Sequence, residues 1–252
     1  MNITCSTQNM EPSIIGSSLG GWLPFALAVL FARSPNDDEF ETIVNLQRKI
    51  STHFDPIYHH QYLIELHGLC DIGPYDATAP NWKGIGFQQR DPASDIRGGG
   101  LLCLVNLIYF LRAHHSLAIG MCRMRSNREV QGQNYPWAAT SISVTRLVAV
   151  KFSLSHALTG RALPRQDMQP RSYYPLLLDG PAAFSRLFCL AFLLFDNEYS
   201  VSAATYMGVP DVLRRVEKLL DQFLRGGESI AEVARLIGQH VGGKLEAEIV
   251  DI

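Results

Sequence analysis

The sequence predicts an all-α fold, a single compact helical domain over residues 34–252 behind a flexible tail and an apolar segment over residues 1–33. Three observations predict it. Val212, Val216, Leu219, Phe223 and Leu224 recur at helical spacing and form one apolar stripe on a charged segment. Leu101 to Leu111 is apolar on nearly every side, as a buried central helix requires. Start and stop residues punctuate the chain, with Ser34-Pro35-Asn36-Asp37 opening a helix and Gly226-Gly227 ending one. Hydrophobic residues make up 47% of the 252 and charged residues 18%, so one sizeable core can form.

In chain order, Met1 to about Ser18 is polar and without period, which reads as a tail. Ile14 to Ala32 is the best membrane candidate. Its apolar part, Leu23 to Ala32, is too short to span a bilayer, and no basic region precedes it. It reads as a buried or peripheral segment, with membrane association as the alternative. Phe40, Ile43, Val44 and Ile50 mark the first helix, and Leu63, Leu66 and Leu69 a second after Asp55-Pro56. Gly73-Pro74 and Ala79-Pro80 sit in a loop. After the buried helix, Met121 to Gln133 is polar and Arg-rich, which predicts a surface loop holding Arg123, Arg125 and Arg128. Val148, Val150, Phe152 and Leu154 fit a strand as readily as a helix. A loop over Gly160 to Pro175, an apolar helix around Phe184 to Phe195, the amphipathic helix from Asp211 to Arg225 and a last helix from Ser229 to Ile237 follow.

Composition excludes several function classes. A net charge of -2 gives no bulk attraction to nucleic acid. The five cysteines form no CxxC and no metal-finger spacing, so they read as reduced thiols of a cytosolic protein. His59-His60 and His114-His115 are adjacent pairs, and neighbours on a helix point about 100° apart, so neither makes a metal face alone. Gly98 to Gly100 lacks the strand and spacing of a nucleotide-binding turn, and there is no GxxxxGK[ST].

The specific signal is the stretch Trp82 to Gly100, WKGIGFQQRDPASDIRGGG. It resembles the signature of the ELMO domain family, W-x3-G-F-Q-x3-P-x-[T/S]-D-x-R-G-x-G. Trp82, Gly86, Phe87, Gln88, Pro92, Ser94, Asp95, Arg97, Gly98 and Gly100 fill its fixed positions, with Ser94 where the family more often has Thr. Phe54-Asp55-Pro56, Tyr135-Pro136-Trp137 through Ile142, Phe195-Asp196-Asn197-Glu198 and Tyr206-Met207 extend the likeness over about Pro35 to Leu224. Tyr199 stands near where family members often carry Trp. The resemblance implies an all-helical fold, which turns Val148 to Leu154 toward helix.

It also implies a partner. Long members support DOCK-type exchange factors for Rac. Short members resemble GTPase-activating proteins for Arf and Arf-like small GTPases. The chain length leaves no room for the extra modules of the long branch, and Arg97 matches the proposed catalytic arginine of the short branch. GTP and magnesium would then belong to the partner, with no cofactor of the chain's own. The implied setting is cytoplasmic, with peripheral membrane contact as an option. Gln88, Asp95, Gly98 and Gly100 are candidate partner contacts, while Trp82, Gly86, Phe87 and Pro92 shape the motif. An arginine suits such a site because phosphoryl transfer spreads negative charge over oxygens that a guanidinium fork can meet, an effect of about 10³ to 10⁵ in rate elsewhere. The competing reading makes Arg97 a clamp on Asp91 or Asp95. A non-catalytic scaffold using the same surface is the functional alternative.

Overall fold

Side chains fix the first helix before packing does. In the computed structural model, which describes residues 31–55, 57–71, 81–126, 134–156, 160–242, 249 and 252, α1 spans Asp37–Ser51. Asn36 Oδ1 accepts from the Glu39 N–H at 2.9 Å, and Glu39 Oε2 accepts from the Asn36 N–H at 2.8 Å. This reciprocal capping box meets two amide donors that the helix itself leaves unpaired. Arg33 donates to both Glu39 oxygens at 2.7 Å. Burial alone would raise the Glu39 carboxyl, but Arg33 and the Asn36 N–H outweigh it and hold it below its usual range.

The remaining helices are α2 (His60–Cys70), the single turn α3 (Ala93–Ile96), α4 (Gly100–Ala113), α5 (His115–Ser126), α6 (Trp137–Lys151), α7 (Ala183–Val201), α8 (Val209–Gly226) and α9 (Ile230–Val241). Short 3-10 turns lie at Trp82–Ile85, Arg165–Asp167, Tyr174–Leu178 and Tyr206–Gly208. Among the described residues there is no strand, only isolated bridges at Arg33–Arg171 and Ser155–Ala162. The all-α expectation holds. The tail and most of the apolar segment, Ile14 to Leu30, lie outside the described residues, as do Gly73-Pro74 and Ala79-Pro80. Among the described residues no single helix is long and apolar enough to cross a membrane.

Two helices organise the core. α4 packs against α1, α2, α5, α6 and α7, and α7 packs against α4, α6, α8 and α9. Every side chain from Leu187 to Phe195 is buried, and the predicted run from Leu101 to Leu111 is buried apart from half-exposed Leu101, Val105 and Tyr109. Asn106 is the polar exception inside α4. It accepts from Ser185 Oγ at 2.9 Å and donates to Thr145 Oγ1 at 3.4 Å, which ties α4 to α7 and α6.

Some expectations need correction. Met121 to Ser126 is helix rather than loop, and Arg125 is buried with its side chain 2% exposed. Its guanidinium meets Asp196 at 2.5 and 2.9 Å, donates to Ser200, and lies over the rings of Tyr135 and Tyr199. Tyr135 also donates to Asp196, at 2.8 Å. Arg123 does sit on the surface, against Asp71, while Arg128 lies outside the described residues. Val148 and Val150 belong to α6, which ends at Lys151, and Phe152 and Leu154 are buried in the turn beyond it. On α8 the buried stripe is Val212, Val216, Leu220 and Leu224, with Leu219 and Phe223 half-buried at its border. Tyr199 fills its site as a core residue, with its hydroxyl donating to the Asn134 carbonyl at 2.9 Å.

Cys70, Cys103, Cys122 and Cys189 are free and buried. Burial pushes the Cys103 thiol up to about 12 and the Cys122 thiol to about 11. The histidine pairs serve local structure. His59 Nδ1 accepts from the Asp55 N–H at 2.9 Å, and His115 Nδ1 lies 3.2 Å from the Leu111 carbonyl. Among the described residues no three His, Cys, Asp or Glu side chains gather in a metal-binding cluster.

Candidate functional site

The motif folds as a loop pinned at both ends. At its start Trp82 and Phe87 are core residues, edge to face at 5.8 Å, and Trp82 meets His67 edge-on at 5.6 Å. Between them Gly86 takes φ 89°, and an added Cβ would lie 2.3 Å from the Trp137 amide nitrogen. The Gly86 carbonyl accepts from the Ala139 N–H at 3.2 Å. This close approach fixes the loop on the first turn of α6, and only glycine permits it.

Beyond Phe87 the chain turns on carboxylates. Asp95 Oδ2 accepts from the backbone N–H groups of Gln88 at 2.8 Å and Gln89 at 3.4 Å. Asp91 Oδ1 accepts from the Ala93 N–H at 2.9 Å, and Ser94 Oγ donates to the Asp91 carbonyl, also at 2.9 Å. Ser94 therefore keeps the hydroxyl that the motif needs. Pro92 is buried at the start of α3, and Ile96 anchors its other end in the core at 1% exposure.

Arg97 follows directly, in helical backbone geometry at the end of α3. Its side chain is exposed, and among the described residues it has no hydrogen bond or ion pair. Both carboxylates that could have clamped it are engaged elsewhere. Behind it, Gly100 opens α4 at φ 58°, where a Cβ would come within 2.1 Å of the Ile50 carbonyl oxygen. The Leu101 N–H donates to the Thr52 carbonyl at 3.0 Å. The end of α1 is thus wedged against the base of the arginine.

Two cavities open on this surface, and they divide the predicted contacts. Arg97, Gly98 and Gly100 line one of about 450 Å³, together with His53, Arg146 and Arg161, and among the described residues no carboxylate lines it. Gln88 lines the other, of about 490 Å³, with Lys83, Phe87 and Tyr206. Gln88 Nε2 donates to the Tyr206 hydroxyl at 3.2 Å. Beside this contact Val201, Tyr206 and Met207 are exposed, an apolar patch next to the motif. Asp95 lies in neither lining and connects the two, holding the Gln88 loop from a position two residues before Arg97. Gly100 is buried, so it forms cavity floor against α1 rather than open surface. Sequence reasoning did not select Arg146, an exposed charge in the middle of α6, or His53. It named Arg125 but placed it on a surface loop, although Ala118, Met121, Cys122 and Arg125 share one helical face.

Comparison with known proteins identifies the family. A sequence model of the ELMO/CED-12 family matches residues 42–213. The chain is 28% identical over 176 residues to the ankyrin repeat and ELMO domain-containing protein D of Dictyostelium discoideum, covering 68% of this chain and 13% of that protein. It is 28% identical over 189 residues to ELMO domain-containing protein C of the same organism, covering 72% of this chain and 29% of that protein. To human ELMO domain-containing protein 2 it is 37% identical over 86 residues, covering 31% and 28% of the two chains. The chain thus spans under a third of the length of each of these relatives. The match extends through α2 to α7 and takes in the whole motif, with its wedged glycines and its outward arginine, and the chain belongs to the ELMO/CED-12 family.

Proposed function

We propose that this chain is a GTPase-activating domain for an Arf-type small GTPase, with Arg97 delivered in trans to the partner's nucleotide. Proteins of this family are linked to the regulation of small GTPases. One observation supports a direct chemical role: Arg97 is exposed, bears no partner among the described residues, and stands on a loop pinned to α1 and α6. The pinned backbone leaves only the side chain to be ordered on meeting the transition state, and the guanidinium charge is not already neutralised. Gln88 and the Val201, Tyr206 and Met207 patch would form the rest of the contact. The nucleotide and its magnesium belong to the partner. The reading carries a cytoplasmic setting with it, consistent with four free thiols.

Single-turnover GTP hydrolysis by a panel of Arf and Arf-like GTPases tests it. The wild-type domain is expected to accelerate at least one of them. Arg97→Ala should bind that GTPase without accelerating it, and Arg97→Lys should not substitute, because lysine lacks the planar fork. A folded domain that changes no hydrolysis rate would overturn the reading and leave a scaffold for a GTPase or a DOCK-type exchange factor.

A further inference from the structure

We propose that the cavity beside Arg97 is a phosphate site in which Arg97 and Arg146 grip one oxyanion from two sides. Assigning that oxyanion to the partner's nucleotide rests on the function proposed above; the cavity's preference for phosphate does not.

The two arginines come from independent supports. Arg97 ends α3, while Arg146 projects from α6, where Val144, Thr145, Val148 and Ala149 around it are all buried. Arg146 is therefore an exposed head on a rigid base. Like Arg97, it has no hydrogen bond or ion pair among the described residues. His53, just past the end of α1, and Arg161 also line the cavity, and among the described residues no Asp or Glu does. Its volume of about 450 Å³ falls within the range of small-ligand pockets, about 300–1,000 Å³.

The neighbouring cavity is a useful contrast. It too is lined by an arginine, but that residue, Arg125, is tied to Asp196 at 2.5 and 2.9 Å. Its charge is spent inside the protein. In the Arg97 cavity the charges of Arg97 and Arg146 have no carboxylate beside them among the described lining residues. Two planar forks facing one concavity match the oxygens of a tetrahedral phosphate, to which arginine donates in pairs.

The test begins with the domain alone. Pyrophosphate and inorganic phosphate are titrated at low salt into wild type, Arg97→Ala, Arg146→Ala and, as a control, Arg214→Ala. Arg214 is exposed and paired with Asp211 on α8. Loss of one charge-assisted contact should weaken pyrophosphate binding about tenfold or more in each of the first two variants. The control should bind as wild type does, and added salt should weaken binding throughout. Circular dichroism verifies that Arg146→Ala, an exposed change, keeps its helix content. Undetectable pyrophosphate binding by wild type, or equal binding by folded Arg146→Ala, overturns the proposal.

A second arm identifies the source of the phosphate. If it comes from the partner, Arg146→Ala should lose about tenfold in affinity for the GTPase loaded with GDP and aluminium fluoride, and keep its affinity for the GDP form. If that loss is absent while pyrophosphate binding still depends on Arg146, the nucleotide source is overturned. Phosphoinositide-containing vesicles against phosphatidylcholine vesicles then separate a lipid headgroup from free phosphate. The two proposals fail separately. Pyrophosphate binding without acceleration of any GTPase sinks the activating role, and acceleration without pyrophosphate binding sinks the site.

Discussion

Asp196→Ala should be among the most destabilising single changes in this chain, and more costly than removing its partner. The Arg125 side chain is 2% exposed and that of Asp196 14%. Burial alone would lower the Arg125 pKa, but pairing with Asp196 outweighs it, so the guanidinium stays charged. Deleting Asp196 removes the carboxylate that meets this buried charge, at a cost of about 3–5 kcal/mol. Ser200 and the rings of Tyr135 and Tyr199, 5.6 and 5.7 Å from the guanidinium carbon, remain to offset part of it. The lower half of that range, about 3–4 kcal/mol, is therefore expected. In a chain of this size each kcal/mol lowers Tm by about 2–4 °C, so the drop should be about 6–16 °C. Arg125→Met leaves a carboxylate that reaches solvent and keeps its bond from Tyr135, and should cost only about 1–2 kcal/mol. Urea unfolding of wild type, the two single variants and the double variant measures the difference. Equal costs for the two single variants, or strict additivity in the double, would refute the reasoning.

Three further outcomes follow from the geometry. Gly100→Ala places a methyl against the Ile50 carbonyl and forces alanine to φ 58°, so it should destabilise by at least about 2–3 kcal/mol and move amide signals at both Ile50 and Arg97 in NMR spectra. Asp95→Ala removes the acceptor for the Gln88 and Gln89 amides, so hydrogen exchange there should quicken at a stability cost of about 1 kcal/mol, and GTPase activation should fall although Arg97 is intact. Glu39→Gln breaks the Arg33 pair. Because the folded state holds the Glu39 carboxyl below its usual range, its contribution is full at neutral pH and is lost as pH falls through the lowered value. The stability gap between wild type and Glu39→Gln, measured by urea unfolding across pH, should therefore close in acid; a constant gap would contradict the pairing.

Helix identity was legible where period and caps agreed. Ser34-Pro35-Asn36-Asp37 signals the start of α1, and the apolar stripe on α8 is plain except for its exact border. The region from Met121 failed because its arginines and polar residues looked solvated. The hidden fact was a long-range one: Asp196, 71 residues away, supplies the countercharge that lets Arg125 enter the core. The motif named the residues of the candidate site, and Trp82 and Phe87 were readable as core from their size. Their division between two cavities was not readable, since it depends on Asp95 bending the chain back and on α6 bringing Arg146 alongside Arg97. No spacing in the sequence encodes a meeting of residues 97 and 146.

Cys103 turns the base of the arginine loop into its own stability gauge. Its sulfur lies 3.0 Å from the Gly100 carbonyl and within 3.3 Å of where a Cβ on Gly99 would sit. A thiol so enclosed, with its pKa near 12, reacts with an alkylating reagent only when the segment around it opens. Peptide-mapped labelling of Cys103 therefore clocks the local opening of the α3–α4 junction. Cys189, sealed inside α7, clocks unfolding of the whole domain. The ratio of the two rates gives the free-energy gap between opening of that junction and unfolding of the whole fold, and capture of Arg97 by a partner that binds only the folded state would slow both clocks.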